Sequence, residues 1–548
     1  MSKQTYRVRF CFSRRFGLSN TVAEAPKDIK DLFRTYSESN GAIMTVDQLH
    51  RFLMEFQGEA EATREDVESI IDGLSESLQE GLHFEAFFKY LFSNKNLPIS
   101  PKLGVHHDMS APLSHYFVYM GHNSYLTGNQ LSSVCSDVPI INALKRGIRG
   151  IELDIWPNST NDNVSVLHGG TLTAPVEFIK CLRSIKDHAF TASNYPLIIT
   201  LEDHLKPNLQ SKVASGSVLH HNINSYISML TETFGDVLYY PGLNTLREFP
   251  SAESEYLETQ DIKGKETNPT KVKDSTDNEA SQKEVPKVKI SPADLGKSVL
   301  DEDNDKEGGF DDRDKAPQNV PPEYKHLIAI RAGKPEGGLD NFLWVESDRV
   351  RFTQWNLLRV YPSGICVDSS NYNPFIGWMH GAQMVAFNMQ GHGKYLWLMQ
   401  GTFRANGTCG YVKKPDFLLR LGPKDEIFDP KAVLPVKTIL KVTAYMGEGW
   451  YRDFQHTHFD LYSPPNFYVR VGIPGFPADS VMKKTKMLED NWTPAWNEEF
   501  EFPLTVPELA LLRIEVYEYD VSEKNDFGGA DMLTRGRTPE RDPSSATP

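Results

Sequence analysis

Three short peptides between residues 121 and 173 constrain the fold of this chain more than any other feature. They read Gly-His-Asn-Ser-Tyr-Leu at 121–126, Gly-Ile-Glu-Leu-Asp-Ile-Trp at 150–156 and Val-Leu-His-Gly-Gly-Thr-Leu-Thr at 166–173. Each ends a short apolar run with polar or charged residues, as a buried parallel strand does when it delivers side chains to one end of a barrel. Glu152 and Asp154 are two positions apart, so a strand points both carboxylates to one face. With the amide oxygen of Asn123 they suit calcium, which takes roughly six to eight oxygen ligands. His122 and His168 then flank a metal-bound group. A lone histidine at a strand end is more often a hydrogen-bonded core residue. The joint occurrence of these pieces in this order, followed by Leu-Ile-Ile-Thr-Leu-Glu-Asp-His at 197–204, points instead to a catalytic metal site.

The surrounding pattern alternates strand and helix. Strands are expected at 114–120, 150–155, 165–167 and 196–201, and helices at 138–146 and 175–184. Such alternation predicts a parallel sheet joined by right-handed crossovers. Active residues then sit at the carboxyl ends of strands, where His122, Asn123, Glu152, Asp154, His168 and Glu202 all fall.

This segment resembles the X half of eukaryotic phosphoinositide-specific phospholipase C, and later matches resemble the Y half of its plant-type members. These are Asp-Ser-Ser-Asn-Tyr at 368–372, Gly-Trp-Met-His-Gly at 377–381 and Asn-Gly-Thr-Cys-Gly-Tyr at 406–411. The resemblance implies a multidomain α/β protein built on a split TIM (β/α) barrel. It implies calcium held by Asn123, Glu152, Asp154 and Glu202. His122 would steady charge on phosphorus, His168 would protonate the departing diacylglycerol oxygen, and Glu152 would take the proton of the inositol 2-hydroxyl. Arg359 and Tyr361 match substrate residues, an arginine for a ring phosphate and a tyrosine beneath the ring; a guanidinium suits phosphate because it offers two parallel donors. Leu131, Leu172 and Ile365 match an apolar rim that enters lipid. The implied reaction converts phosphatidylinositol 4,5-bisphosphate to diacylglycerol and inositol 1,4,5-trisphosphate through a cyclic phosphodiester.

The chain also departs from the family pattern. Residues 215–228 interrupt a helical stretch and read as an insertion. After Ser254 the strand carrying basic residues for the ring phosphates is missing, which leaves barrel closure open. Between Val345 and Arg349 a helical segment with a phosphate-binding serine is missing, so that Glu346-Ser347-Asp348 runs straight into the next strand. A second reading therefore stands beside the hydrolase: a catalytically impaired homologue acting as a calcium- and phospholipid-binding protein. A glycerophosphodiester phosphodiesterase also joins paired histidines to carboxylates on a barrel, but the second half and the C-terminal region argue against it.

The catalytic halves are expected at 108–257 and 321–423, separated by an acidic linker at 258–320 too poor in apolar residues to order itself. Residues 1–97 carry helical periodicity and resemble an EF-hand-like domain. Its first loop has Tyr36 and Asp47 where calcium binding needs a carboxylate first and a bidentate Glu last, so no calcium is expected there. Short alternating strands from 433 to 529 resemble a C2 β-sandwich, in which Asp460, Glu518, Asp520 and Asp526 would hold calcium and bridge to anionic phospholipid. The strand pattern stops at Gly529, so the sandwich reads as incomplete and 530–548 as a disordered tail. The formal charge of −15 over 548 residues argues against general nucleic-acid binding. Five scattered cysteines fit a reduced compartment. With no signal peptide and no apolar run of membrane-spanning length, the expectation is a cytoplasmic monomer, peripheral at a phosphoinositide-containing plasma membrane.

Overall fold

The computed structural model describes residues 5–7, 17–19, 26–37, 42–74, 81–91, 93, 95–97, 103–214, 229–239, 320–333, 346–362, 366–422, 426–447, 465–519 and 526–534. At its centre lies a mixed sheet that interleaves the two halves of the chain. Its five parallel strands run Arg359–Val360, Met384–Phe387, Tyr116–Gly121, Gly150–Pro157, Ile198–Asp203 in spatial order. Tyr116–Gly121 from the first half thus pairs with Met384–Phe387 from the second.

Burial along these strands follows their neighbours. Gly150–Pro157 is flanked on both sides; Ile151, Leu153 and Ile155 pack in one core cluster with Phe178, Leu182 and Ile185 of the helix Phe178–His188, while Glu152 and Asp154 point the other way. Ile198–Asp203 lies at one end of the arc and Arg359–Val360 at the other. Among the described residues no strand pairs with the outer side of either, and Ile198–Asp203 is half-buried at its start and exposed at its end. The missing basic strand expected after Ser254 falls outside the described residues, as do the insertion at 215–228 and most of the linker.

Two sequence expectations are corrected here. Residues 165–167 do not form a parallel barrel strand; Val164–Val166 folds back antiparallel on Gly150–Pro157. The connection between them is too short for a crossover, which needs a dozen or more residues. Asn158 closes the turn, its side-chain oxygen accepting from the backbone N–H of Asp162 and Asn163 at 3.0 Å each. Second, Glu346 does not lead straight into a strand. Glu346–Trp355 is a helix that buries Val350, Thr353 and Gln354 at helical spacing, and the strand after it is limited to Arg359–Val360.

The N-terminal helices Lys27–Tyr36, Val46–Glu55, Arg64–Asp72 and Phe84–Leu91 lie close to their expected positions and share a core of Phe33, Phe52, Phe87 and Tyr90. Thr45 and Thr63 each begin a helix with a reciprocal capping box. Tyr36 packs edge-on to Phe52 in this core, and Asp47 pairs with Arg64. The C-terminal sandwich joins Thr438–Met446 and Ala495–Leu504 in one sheet and Val481–Lys484, Phe467–Ile473, Leu511–Glu518 and Asp526–Thr534 in the other. Its last strand passes the expected stop at Gly529 and continues to Thr534, because backbone pairing with Leu511–Glu518 persists where the Gly-Gly-Ala sequence has no alternation to reveal it. Phe476 and Leu511 anchor this sandwich in the barrel core. Among the described residues no helix is long and apolar enough to cross a membrane.

Candidate active site

The carboxyl ends of the parallel strands gather one polar cluster. The backbone turns sharply after Tyr116–Gly121: Asn123 sits at φ 42°, and its N–H donates to Glu152 Oε2 at 3.0 Å. A Cβ on Gly121 would come within 2.6 Å of Ser124 Oγ and displace the hydroxyl that accepts from the Glu152 N–H at 3.3 Å. Glu152, Asp154 and Glu202 each bring a carboxylate oxygen within 4.8 Å of the others. Glu152 and Asp154 are buried; Glu202, on the edge strand, is exposed. Tyr125 donates to Asp154 Oδ2 at 2.6 Å, while Asp154 Oδ1 is buried with no hydrogen-bond partner. Burial, with the charges of Glu202 and Glu152 added, pushes the Asp154 carboxyl up to about 8. Glu202 is shifted downward, mainly by its 2.8 Å hydrogen bond with His204, whose ring stacks on Trp156. Three converging carboxylates with an orphaned buried oxygen fit a hard divalent cation.

Both histidines face this cluster and are oriented from behind. His122 Nδ1 lies 2.8 Å from Asn388 Oδ1, and its ring is parallel to Tyr361 at 6.3 Å. Burial lowers the His122 pKa even though Glu152 and the Asn388 bond act to raise it. His168 Nδ1 lies 2.7 Å from the carbonyl of Gln130. Arg359 ion-pairs with Glu152 and spreads over the Tyr361 ring at 4.9 Å, with its Nε buried and unpartnered. Asn123, Glu152, Asp154, Glu202, His122, His168, Arg359 and Tyr361 are therefore all brought to one place, although Arg359 here neutralises a carboxylate.

Leu131 and Leu172 stand exposed beside the site, joined by the 2.8 Å bond from Leu172 N to Leu131 O, and exposed Val134 and Val367 extend their apolar surface. Ile365 lies outside the described residues. The C2 ligand set is not assembled: Asp460 and Asp520 lie outside the described residues, and Asp526 is described by its backbone strand. Glu518 is buried, paired in register with Phe467 and Asp526. Sequence reading also missed Tyr125, Gln130, Ser369 and Asn388, all buried around the cluster. Gln130 follows the His-Asn-Ser-Tyr-Leu peptide and Ser369 lies inside Asp-Ser-Ser-Asn-Tyr, so proximity to those motifs was the available signal.

Family models match in the same order as these units. The EF-hand-like model of phosphoinositide-specific phospholipase C matches residues 23–97, its X domain 109–265, its Y domain 325–417, and the C2 domain 439–542. Phosphoinositide phospholipase C 2 of Arabidopsis thaliana is 57% identical, covering 97% of this chain and 94% of that protein. The chain belongs to the phosphoinositide-specific phospholipase C family. It is a phosphodiesterase of that class. The alignment with the Arabidopsis relative runs to 570 positions, more than the 548 residues of this chain, so the relative has residues inside the aligned span that this family member lacks. A zebrafish relative (Danio rerio), 1-phosphatidylinositol 4,5-bisphosphate phosphodiesterase delta-3-A, is 32% identical over 92% of this chain and 64% of its own length. The crystal structure of L. pealei PLC21 shares the fold with a TM-score of 0.62 at 23% identity, over 92% of this chain and 64% of that one.

Proposed function

We propose that this phospholipase C hydrolyses phosphatidylinositol 4,5-bisphosphate with calcium, at the surface of a membrane reached through the Leu131 and Leu172 rim. The observation that carries the reading is the convergence of Glu152, Asp154 and Glu202 between two histidines whose Nδ1 atoms are already engaged. Calcium bound to the three carboxylates and Asn123 would neutralise the phosphate and acidify the inositol 2-hydroxyl. Glu152 accepts the hydroxyl proton as the 2-oxygen bonds to phosphorus. His122 in its imidazolium form, its Nδ1–H held by Asn388 Oδ1, donates from Nε2–H to the phosphoryl oxygens. Imidazolium His168, its Nδ1–H held by the Gln130 carbonyl, gives its Nε2 proton to the glycerol oxygen as that oxygen's bond to phosphorus breaks; it takes a proton back from the water that opens the cyclic diester, while Glu152 returns its proton to the departing 2-oxygen. Arg359 leaves Glu152 to meet a ring phosphate over the face of Tyr361.

The test is release of soluble inositol phosphates from vesicles of phosphatidylinositol 4,5-bisphosphate, with and without a calcium chelator. His122→Ala is expected to cut the rate by about 10²–10⁴-fold. Equal release by the variant or in chelator would refute the proposal. The exposure of Glu202, on a strand whose outer side no other described strand pairs with, favours one competing outcome, calcium-dependent vesicle binding without release, which would identify an impaired homologue.

A further inference from the structure

The geometry points to Gln130 as a positioning residue that fixes the proton on His122 and the amide of Asn123 through its side chain, and the proton on His168 through its carbonyl. This rests on the catalytic reading of the two histidines given above. Gln130 is 5% exposed, and its partners Asn123, Ser369 and Asn388 are buried to at least the same degree. Its Oε1 accepts from Asn123 Nδ2 at 2.8 Å. Its Nε2 donates to Ser369 Oγ at 2.8 Å and to Asn388 Oδ1 at 3.0 Å.

The direction of every bond in this network is set from its ends. Ser369 Oγ spends its proton on the carbonyl of Gly128 at 2.8 Å, so it can only accept from Gln130. Asn388 Nδ2 donates to the carbonyl of Ser370 at 3.3 Å, which leaves its Oδ1 facing both Gln130 and His122. An acceptor at that position requires His122 to carry its proton on Nδ1. The carbonyl of Gln130 imposes the same on His168. Both rings therefore turn Nε2 towards the carboxylate cluster, His122 by way of a side chain and His168 by way of a backbone atom. Asn123 and Ser369 hold φ of 42° and 60°, sparsely populated values for residues other than glycine, which their surroundings must enforce. The network also spans the two halves, since Gln130 and Asn123 come from the first and Ser369 and Asn388 from the second.

The isosteric change Gln130→Glu tests this in the full chain. It puts an acceptor opposite Asn388 Oδ1, so the Asn388 amide must turn and present its NH₂ to His122. The expected result, read from ring nitrogen-15 shifts in histidine-labelled protein with His122→Ala for assignment, is transfer of the neutral His122 proton to Nε2. His168 keeps its Nδ1 proton, because its acceptor is backbone. Turnover falls about 10²-fold with KM within about threefold. Gln130→Ala is the second variant: the His122 tautomers become mixed and His168 stays unchanged. Wild-type tautomers and turnover in either variant would overturn the inference, as would loss of both tautomers together, which is the mark of general collapse. A His122 proton shift with undiminished turnover would uphold the positioning and remove the catalytic role on which it rests.

Discussion

Two neighbouring strands of the same sheet, Gly150–Pro157 and Ile198–Asp203, bring carboxylates to the same site from opposite environments. Asp154 and Glu202 are direct partners in the parallel register. Asp154 is 2% exposed and its carboxyl is pushed up to about 8; the Glu202 side chain is 56% exposed and is shifted downward. The residue types differ by one methylene, so chemistry is not the cause. A strand with neighbours on both sides removes water from its carboxylates and leaves mutual repulsion unrelieved, whereas an edge strand lets solvent and His204 stabilise the charge. Conserving a donor set is therefore different from conserving its electrostatics.

The largest expected contrast is in stability. Ile151, fully buried in the flanked strand, should cost about 2–5 kcal/mol when changed to Ala, and half-buried Ile199 clearly less. Denaturant unfolding of the two variants measures this, and equal losses would mean the edge is as well packed as the centre. The next effect is on pH dependence. Because the folded pKa of Asp154 lies above its unfolded value of roughly 3.9, the folded state holds the extra proton between about pH 4 and 8. Stability in chelator therefore falls as pH rises through that window, and Asp154→Asn should flatten the slope in unfolding curves at pH 5, 6, 7 and 8. A divalent cation has to displace the same proton, so calcium affinity by calorimetry should fall as pH drops below about 8 in the wild type. The smallest effect belongs to the exposed edge. His204→Ala removes the hydrogen bond to Glu202, and solvent screening should hold the loss of calcium affinity to about threefold or less. A larger loss would show Glu202 to be less open to water than its exposure implies.

Much of the site was legible because it is local. His122, Asn123, Glu152, Asp154 and Glu202 each end or lie in an apolar run that forms a parallel strand, and strand geometry places such residues at one end of the sheet, whereas His168 arrives there after an antiparallel strand. The surroundings that tune them were not legible. Gln130 meets Ser369 and Asn388 across more than two hundred positions, and a buried glutamine carries no periodic signal. Val164–Val166 reads as a short strand like any other until the length of its connection is counted. Glu346–Trp355 buries Thr353 and Gln354 among polar neighbours, so its helical period hides behind residue types that usually face water. The strand to Thr534 is continued by backbone pairing with Leu511–Glu518, which leaves no mark on the residue types.

The pairing of Tyr116–Gly121 with Met384–Phe387 also bears on how the enzyme comes into being. At about 5–20 residues per second, a ribosome that has made Gly121 needs roughly 15–50 seconds to reach Phe387. Until then His122 lacks Asn388, Gln130 lacks Ser369, and Glu152 lacks Arg359. The nascent chain carries its carboxylates and histidines through a long stretch of its synthesis without the groups that orient them, so lipid cleavage begins only after translation has supplied the second half.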